Sequence, residues 1–238
     1  MFHTTPLAAI TAALVLVSKP ETWTCYSSAR RIDGASVPSY HRDATCFCAS
    51  GALRRAVVQP GVYIMSCDTV DYDTEIKVSN LLDAEVRRRY PGRYADSDVA
   101  LYVDVNDEPE LGREVIVEIF QAVQAQLERQ QLVEQLIAAR ALIADKANWT
   151  QTRLARDEYG TSVDPSVPDA CRFCAVGAAI RVVGDQEPAT AMVNVLDKAA
   201  WRLFKRLVVD VNDARGHAET LRVYDEAIAV ARIGTLVG

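Results

Sequence analysis

"DACRFCAVGAA" occupies residues 169–179 and "DATCFCASGAL" occupies residues 43–53. Nearly the same eleven residues stand twice in one chain of 238, and the match reaches further. With Trp23 set against Trp149 and no gap, 14 of the 30 positions from Trp23 to Ala52 are identical. Unrelated sequences of ordinary composition would share about two. The identities include Thr24 with Thr150, Arg30 with Arg156, Gly34 with Gly160, Phe47-Cys48-Ala49 with Phe173-Cys174-Ala175, and Gly51 with Gly177. Further along, "LYVDVND" (Leu101 to Asp107) matches "LVVDVND" (Leu207 to Asp213) at six of seven positions. This is a duplicated unit. The first copy is expected over 1–130, with insertions near 58–73 and 91–98, and the second over 131–238.

The duplication reinterprets the N-terminus. "PLAAITAALVLVS" resembles the apolar part of an export signal, but no Lys or Arg precedes it. It occupies the place of the helix that precedes Trp149 in the second copy, so it reads as the first helix of copy one. A cytoplasmic protein with reduced thiols is expected, the six cysteines being free rather than a disulfide framework.

Within the second copy, apolar spacing predicts a helix over about 132–146, then a polar loop rich in Gly, Pro, Ser, Thr and Asp. Asp169 stands where a helix cap belongs, followed by Ala170, Phe173, Cys174, Gly177 and Ala178 at helical spacing. Glu187-Pro188 predicts the start of a helix through Phe204, and a last helix is expected over about 218–232. The β-branched run "LVVDVND" reads as a short strand or extended link. In the insertion of copy one, Val62–Met65 reads equally as a strand or an apolar anchor. The last helix of copy one either runs on into copy two or breaks near Arg129. Together these give a mainly α protein with short strand-like segments, its two helical units packed with pseudo-twofold symmetry.

Half of the residues are hydrophobic and 24% charged, with a net charge of −6. That balance supplies a core without staples and argues against general nucleic-acid binding, which needs Lys and Arg to neutralise phosphates. Arg87-Arg88-Arg89 reads as a solvated helix end. No partner in a membrane is expected, and a homodimer is a candidate state. No cofactor is expected, since there is neither a phosphate loop nor a dinucleotide fingerprint. Four cysteines, Cys46, Cys48, Cys171 and Cys174, could make a zinc site if the copies faced each other. Only Cys48 and Cys174 are equivalent in the repeat, however, so the preferred reading is buried thiols and no metal. Gly51 and Gly177 read as points of close helix–helix approach.

The candidate ligand-binding residues are Trp23, Asp43, Asn106, Asp107, Trp149, Asp169, Asn212 and Asp213. Asn106-Asp107 and Asn212-Asp213 are expected to end an extended segment. There they would act as caps, Asp107 with Glu110 forming a capping pattern, or else as a polar pair at the mouth of a groove. The tryptophans are expected as lids over each unit's core. Histidine is scarce, three in all, and none recurs between copies. No catalytic residue is therefore assigned.

The pattern Trp149, Gly160, Asp169-Ala170, Phe173-Cys174, Gly177-Ala178, Asn212-Asp213, closing on a helix, resembles a family of uncharacterised domains of unknown function. That family is found in bacteria, largely actinobacteria, and in their phages. Val105 and Val211 stand where it often has Trp. The resemblance implies a shared fold and a bacterial or phage setting, and brings no activity with it. The function expected is a non-enzymatic binding or regulatory module for a protein or small-molecule ligand, acting in phage–host conflict. The alternatives are a small enzyme with an Asp/Asn-lined cleft and a zinc-stapled scaffold.

Overall fold

A computed structural model describes residues 3–59, 61, 69–184 and 189–233. The protein is mainly α, and the chain divides into two compact units, Met1–Glu128 and Arg129–Gly238. No helix among the described residues is long and apolar enough to cross a membrane. Val62–Met65 and the Glu187-Pro188 helix start lie outside the described residues.

The first unit begins with α1 (Pro6–Val17). Thr5 caps it by accepting from the Ala8 amide, and Pro6 sits in the first turn, where its missing N–H costs nothing. Ala9, Ile10, Ala13 and Val17 are fully buried at helical spacing, so the apolar N-terminal stretch is core helix. A 3-10 turn, Pro20–Thr22, leads to three two-residue strands: β1 (Ala29–Arg30), β2 (Ser36–Val37) and β3 (Cys46–Phe47). They pair antiparallel in the order β2-β1-β3, with Ala29 opposite both Val37 and Phe47. Then come α2 (Ala49–Ala56), α3 (Tyr72–Arg89), α4 (Leu101–Asp107) and α5 (Gly112–Leu142). Arg87-Arg88-Arg89 ends α3, where Arg88 and Arg89 both pair with Glu85.

The second unit repeats the series. After α5 come a 3-10 turn, Lys146–Asn148, then β4 (Ala155–Arg156), β5 (Ser162–Val163) and β6 (Arg172–Phe173), in the order β5-β4-β6. Next are α6 (Ala175–Val183), α7 (Thr190–Phe204), α8 (Val208–Arg215) and α9 (His217–Ile233). Each unit has its own apolar core, around Leu53, Leu82, Ile116 and Phe120 in the first and Leu136, Met192, Leu196 and Tyr224 in the second. Helix α5 is unbroken over its 31 residues.

Three expectations are corrected. The helix predicted from Asp169 starts at Ala175, and its cap is Cys174, in extended conformation. Asp169 lies in an exposed turn, and Asp43 likewise precedes β3 rather than capping α2. Burial at i, i+3 and i+4 is real here, but Phe173 is buried as a strand residue bridged to Trp149 and Ala178 as a helix residue. A strand entering a helix mimics one continuous helical stripe. Second, "LYVDVND" and "LVVDVND" are helices, not strands. Carboxylates far away in sequence accept from their first amides: Asp83 from Tyr102 (3.3 Å) and Asp197 from Val208 (2.8 Å). Burial of Val105 with Asn106 and of Val211 with Asn212 then overrides the strand preference of the valines. Third, Asp107 is not an N-cap for the next helix: it is the last residue of α4, and α5 starts at Gly112.

Candidate functional site

Trp149, Asn212 and Asp213 come together, as do Trp23, Asn106 and Asp107. The short helix α8 buries Asn212 to 1% exposure. Its Oδ1 accepts from the Trp149 indole N–H (2.8 Å) and from the Ala175 amide (3.1 Å). Its Nδ2 donates to the Thr150 carbonyl (3.1 Å) and to Asp213 Oδ1 (2.8 Å). An asparagine amide has two acceptor and two donor positions, so Asn212 is fully satisfied. Asn106, equally buried, repeats this with Trp23 (3.1 Å), Ala49 (3.0 Å), Thr24 (3.3 Å) and Asp107 (2.8 Å). One side chain thereby ties the indole, the loop before the sheet and the first amide of α2 or α6 to α4 or α8.

The neighbouring aspartate supports a strained backbone. Asp213 Oδ1 accepts from the Thr152 amide (2.9 Å), and Asp107 Oδ1 from the Tyr26 amide (2.8 Å). Thr152 has φ 62° and Tyr26 φ 57°, the left-handed region, which costs an ordinary residue roughly 1–2 kcal/mol. Asp107 and Asp213 hold that bend in place. In the second unit Gln151 Nε2 also donates to the Asn212 and Asp213 carbonyls (3.1 and 2.9 Å).

The cysteine and glycine of the repeated motif serve the same junction. Cys174 Sγ accepts from the Gly177 amide and Cys48 Sγ from the Gly51 amide, both at 3.3 Å, which caps α6 and α2. A Cβ on Gly177 would stand 1.9 Å from the Leu154 carbonyl oxygen, and one on Gly51 1.7 Å from that of Ser28. The expected helix–helix approach is thus corrected: each glycine lets its helix touch the loop backbone before the sheet, where only glycine fits. Burial pushes the Cys174 thiol up from the ordinary thiol range; amides of Gly177 and Val176 oppose this, and the Asp213 charge adds to it. The Tyr224 hydroxyl donates to the Ala175 carbonyl (2.7 Å), and burial raises its pKa too.

The other proposed cysteines turn elsewhere: Cys46 Sγ to the Glu21 carbonyl (3.2 Å), exposed Cys171 to the Arg156 carbonyl (3.6 Å). Among the described residues no three His, Cys, Asp or Glu side chains are grouped as metal ligands. Asp43 and Asp169 stay outside the hydrogen-bonded cluster; Asp43 is half exposed beside His41 and Arg42. Residues not singled out from the sequence complete it. Thr24 and Thr150 lend carbonyls to the asparagines, and their hydroxyls accept from Arg30 and Arg156 Nε (both 3.0 Å). Each arginine also donates to the turn glycine carbonyl, Gly34 or Gly160, whose φ is 81° or 84°. The identities between copies at these positions carried that information.

The second unit has an open pocket of about 170 Å³ beside this cluster. Thr152, Arg153, Leu154, Cys174, Val209 and Asp213 are among its lining residues. Leu154 and Val209 are each 43% exposed.

The model of one family, described as a family of unknown function (DUF6197), matches residues 1–126 and again residues 128–230, so the chain belongs to that family. No curated protein and no solved structure matches it.

Proposed function

We propose that this family member is a non-enzymatic binding module whose ligand seats in the pocket of the second unit. In this reading the chain consists of two repeat units, 1–130 and 131–238, and the duplicated residues are scaffold. The observation that carries it is the use of the polar groups. Asn106 and Asn212 have no hydrogen-bonding position left, and one oxygen of each neighbouring aspartate is committed to backbone and asparagine. The buried Cys174 thiol, its pKa raised, is a poor nucleophile and a poor zinc ligand, both of which require thiolate. What remains free is the pocket, with an apolar wall of Leu154 and Val209 and charged groups from Arg153 and Asp213 at the lining. At about 170 Å³ it is smaller than drug-sized ligand sites, which run to roughly 300–1,000 Å³. It suits one large side chain of a partner protein or a small molecule of that size. The setting in this reading is the cytoplasm of a bacterium or its phage, with regulation in phage–host conflict as the role.

A fragment screen read by amide NMR shifts tests the proposal. Binders should shift Thr152, Arg153, Leu154 and Val209, and Leu154→Arg should abolish those shifts while the fold persists. Shifts that cluster elsewhere, or survive Leu154→Arg, would overturn it.

A further inference from the structure

The corner leading into the repeated short helix differs in charge between the two copies. Immediately before "LVVDVND" the second copy reads WRLFKR (residues 201–206); immediately before "LYVDVND" the first reads ADSDVA (residues 95–100). Both corners are exposed. Trp201 is 56% exposed, and Phe204, one helical turn on, lies under the guanidiniums of Arg215 (5.0 Å) and Arg222 (5.5 Å). Arg202 and Arg222 pair with Glu226 and Glu219, but among the described residues Lys205 and Arg206 have no carboxylate partner. In the first copy Val99 is 54% exposed beside Asp96 and Asp98, which likewise have no cationic partner among the described residues. The imbalance extends to whole units. Residues 1–128 contain 12 Lys and Arg against 18 Asp and Glu, and residues 129–238 contain 14 of each, so the net −6 resides in the first.

We infer that a second copy of this chain docks at this corner: residues 95–99 of one copy seat on residues 201–206 of the other. Val99 covers the Trp201 ring, while Asp96 and Asp98 meet Lys205 and Arg206. An exposed tryptophan followed within five residues by two cations without carboxylate partners among the described residues, Lys205 and Arg206, calls for an occupant both acidic and apolar, and this chain carries one at the equivalent position. Every copy offers both corners, so the contact joins the first unit of one copy to the second unit of another and raises the mass above that of one chain.

Two charge-reversed chains test this by sedimentation velocity. One carries Lys205→Glu and Arg206→Glu, the other Asp96→Lys and Asp98→Lys; all four positions are exposed, so the fold tolerates them. The wild-type chain should sediment above the monomer mass at about 0.05 M salt and return to it at about 0.5 M, where screening is short-ranged. Each reversed chain alone should be monomeric, because both of its corners then have one sign. Mixed, the two should restore the association, since each reversed corner meets its opposite on the other chain. A monomeric wild type at about 100 µM in low salt, or a mixture that stays monomeric, would overturn the inference.

Discussion

Asn106 and Asn212 make the same four hydrogen bonds in their two units, with lengths that agree within 0.3 Å. The loop that each one holds differs: Tyr26-Ser27-Ser28 in the first unit, Thr152-Arg153-Leu154 in the second. Both loops bend through the left-handed region at the same residue and present their third carbonyl to the glycine of the next helix. At this junction, identity between copies marks what the backbone requires, and divergence falls on loop side chains that are exposed or half-buried. Residues repeated in a duplicated chain are weak candidates for chemistry when every polar atom they bring is consumed by the fold. Arg153, Leu154, Trp201 and Lys205 have no repeated counterpart, and they border the pocket or the basic corner.

The most severe way to break the comparison is to remove the asparagine. Asn212→Ala leaves an indole N–H, an amide and a carbonyl without their partner in a dry site, and should cost about 4 kcal/mol in urea unfolding. Asn106→Ala should cost the same, because its bonds are the same. A loss below about 1 kcal/mol in either would show that water replaces the amide there. The glycines come next. Gly51→Ala and Gly177→Ala force a methyl into a carbonyl oxygen, and each should lose about 3 kcal/mol or more unless helix and loop separate. Thermal melting of both variants checks this; helix propensity by itself favours Ala over Gly in a helix, so a loss reports the close contact.

A subtler change sharpens the contrast between the units. The second buries a tyrosine on α9 where α5 of the first buries Phe120. Tyr224→Phe removes only the bond to the Ala175 carbonyl, which remains within a helix, so the expected loss is about 1 kcal/mol. A loss several times larger would mean that the hydroxyl organises more of the α6 junction than its one bond shows.

The smallest effect is the pH response. The Cys174 thiol has a raised pKa in the folded chain, so the native state keeps its proton while the unfolded state releases it. Its stabilising share is complete below the unfolded thiol value, about 8.5, and is lost as pH rises toward the folded one. Urea midpoints should therefore fall between about pH 8 and about pH 10, and Cys174→Ala should flatten that fall while costing about 1 kcal/mol as a lost cap. An unchanged slope in the variant would assign the pH response to other groups.

How much of this was legible beforehand depends on distance along the chain. The duplication, the core role of α1, the last helix and the burial of Cys174 and Gly177 all follow from local spacing and self-comparison. Local patterns misled where a strand runs directly into a helix, because Phe173 and Ala178 are buried for different reasons at a spacing that suits one helix. They misled again at "LVVDVND", where β-branched residues favour a strand until Asp83 and Asp197 cap the helix start from elsewhere in the chain.

The sequence by itself determined that one unit is written twice and which residues both copies keep, since identity at a fixed offset needs no folding to be seen. Only the tertiary structure decided what those residues are for. Asn212 reaches Trp149, Thr150 and Ala175 across 63, 62 and 37 positions of chain. A buried amide must find four partners or lose the stability each unmade bond represents. Which groups satisfy it is a property of packed elements, and no spacing within a short segment encodes it.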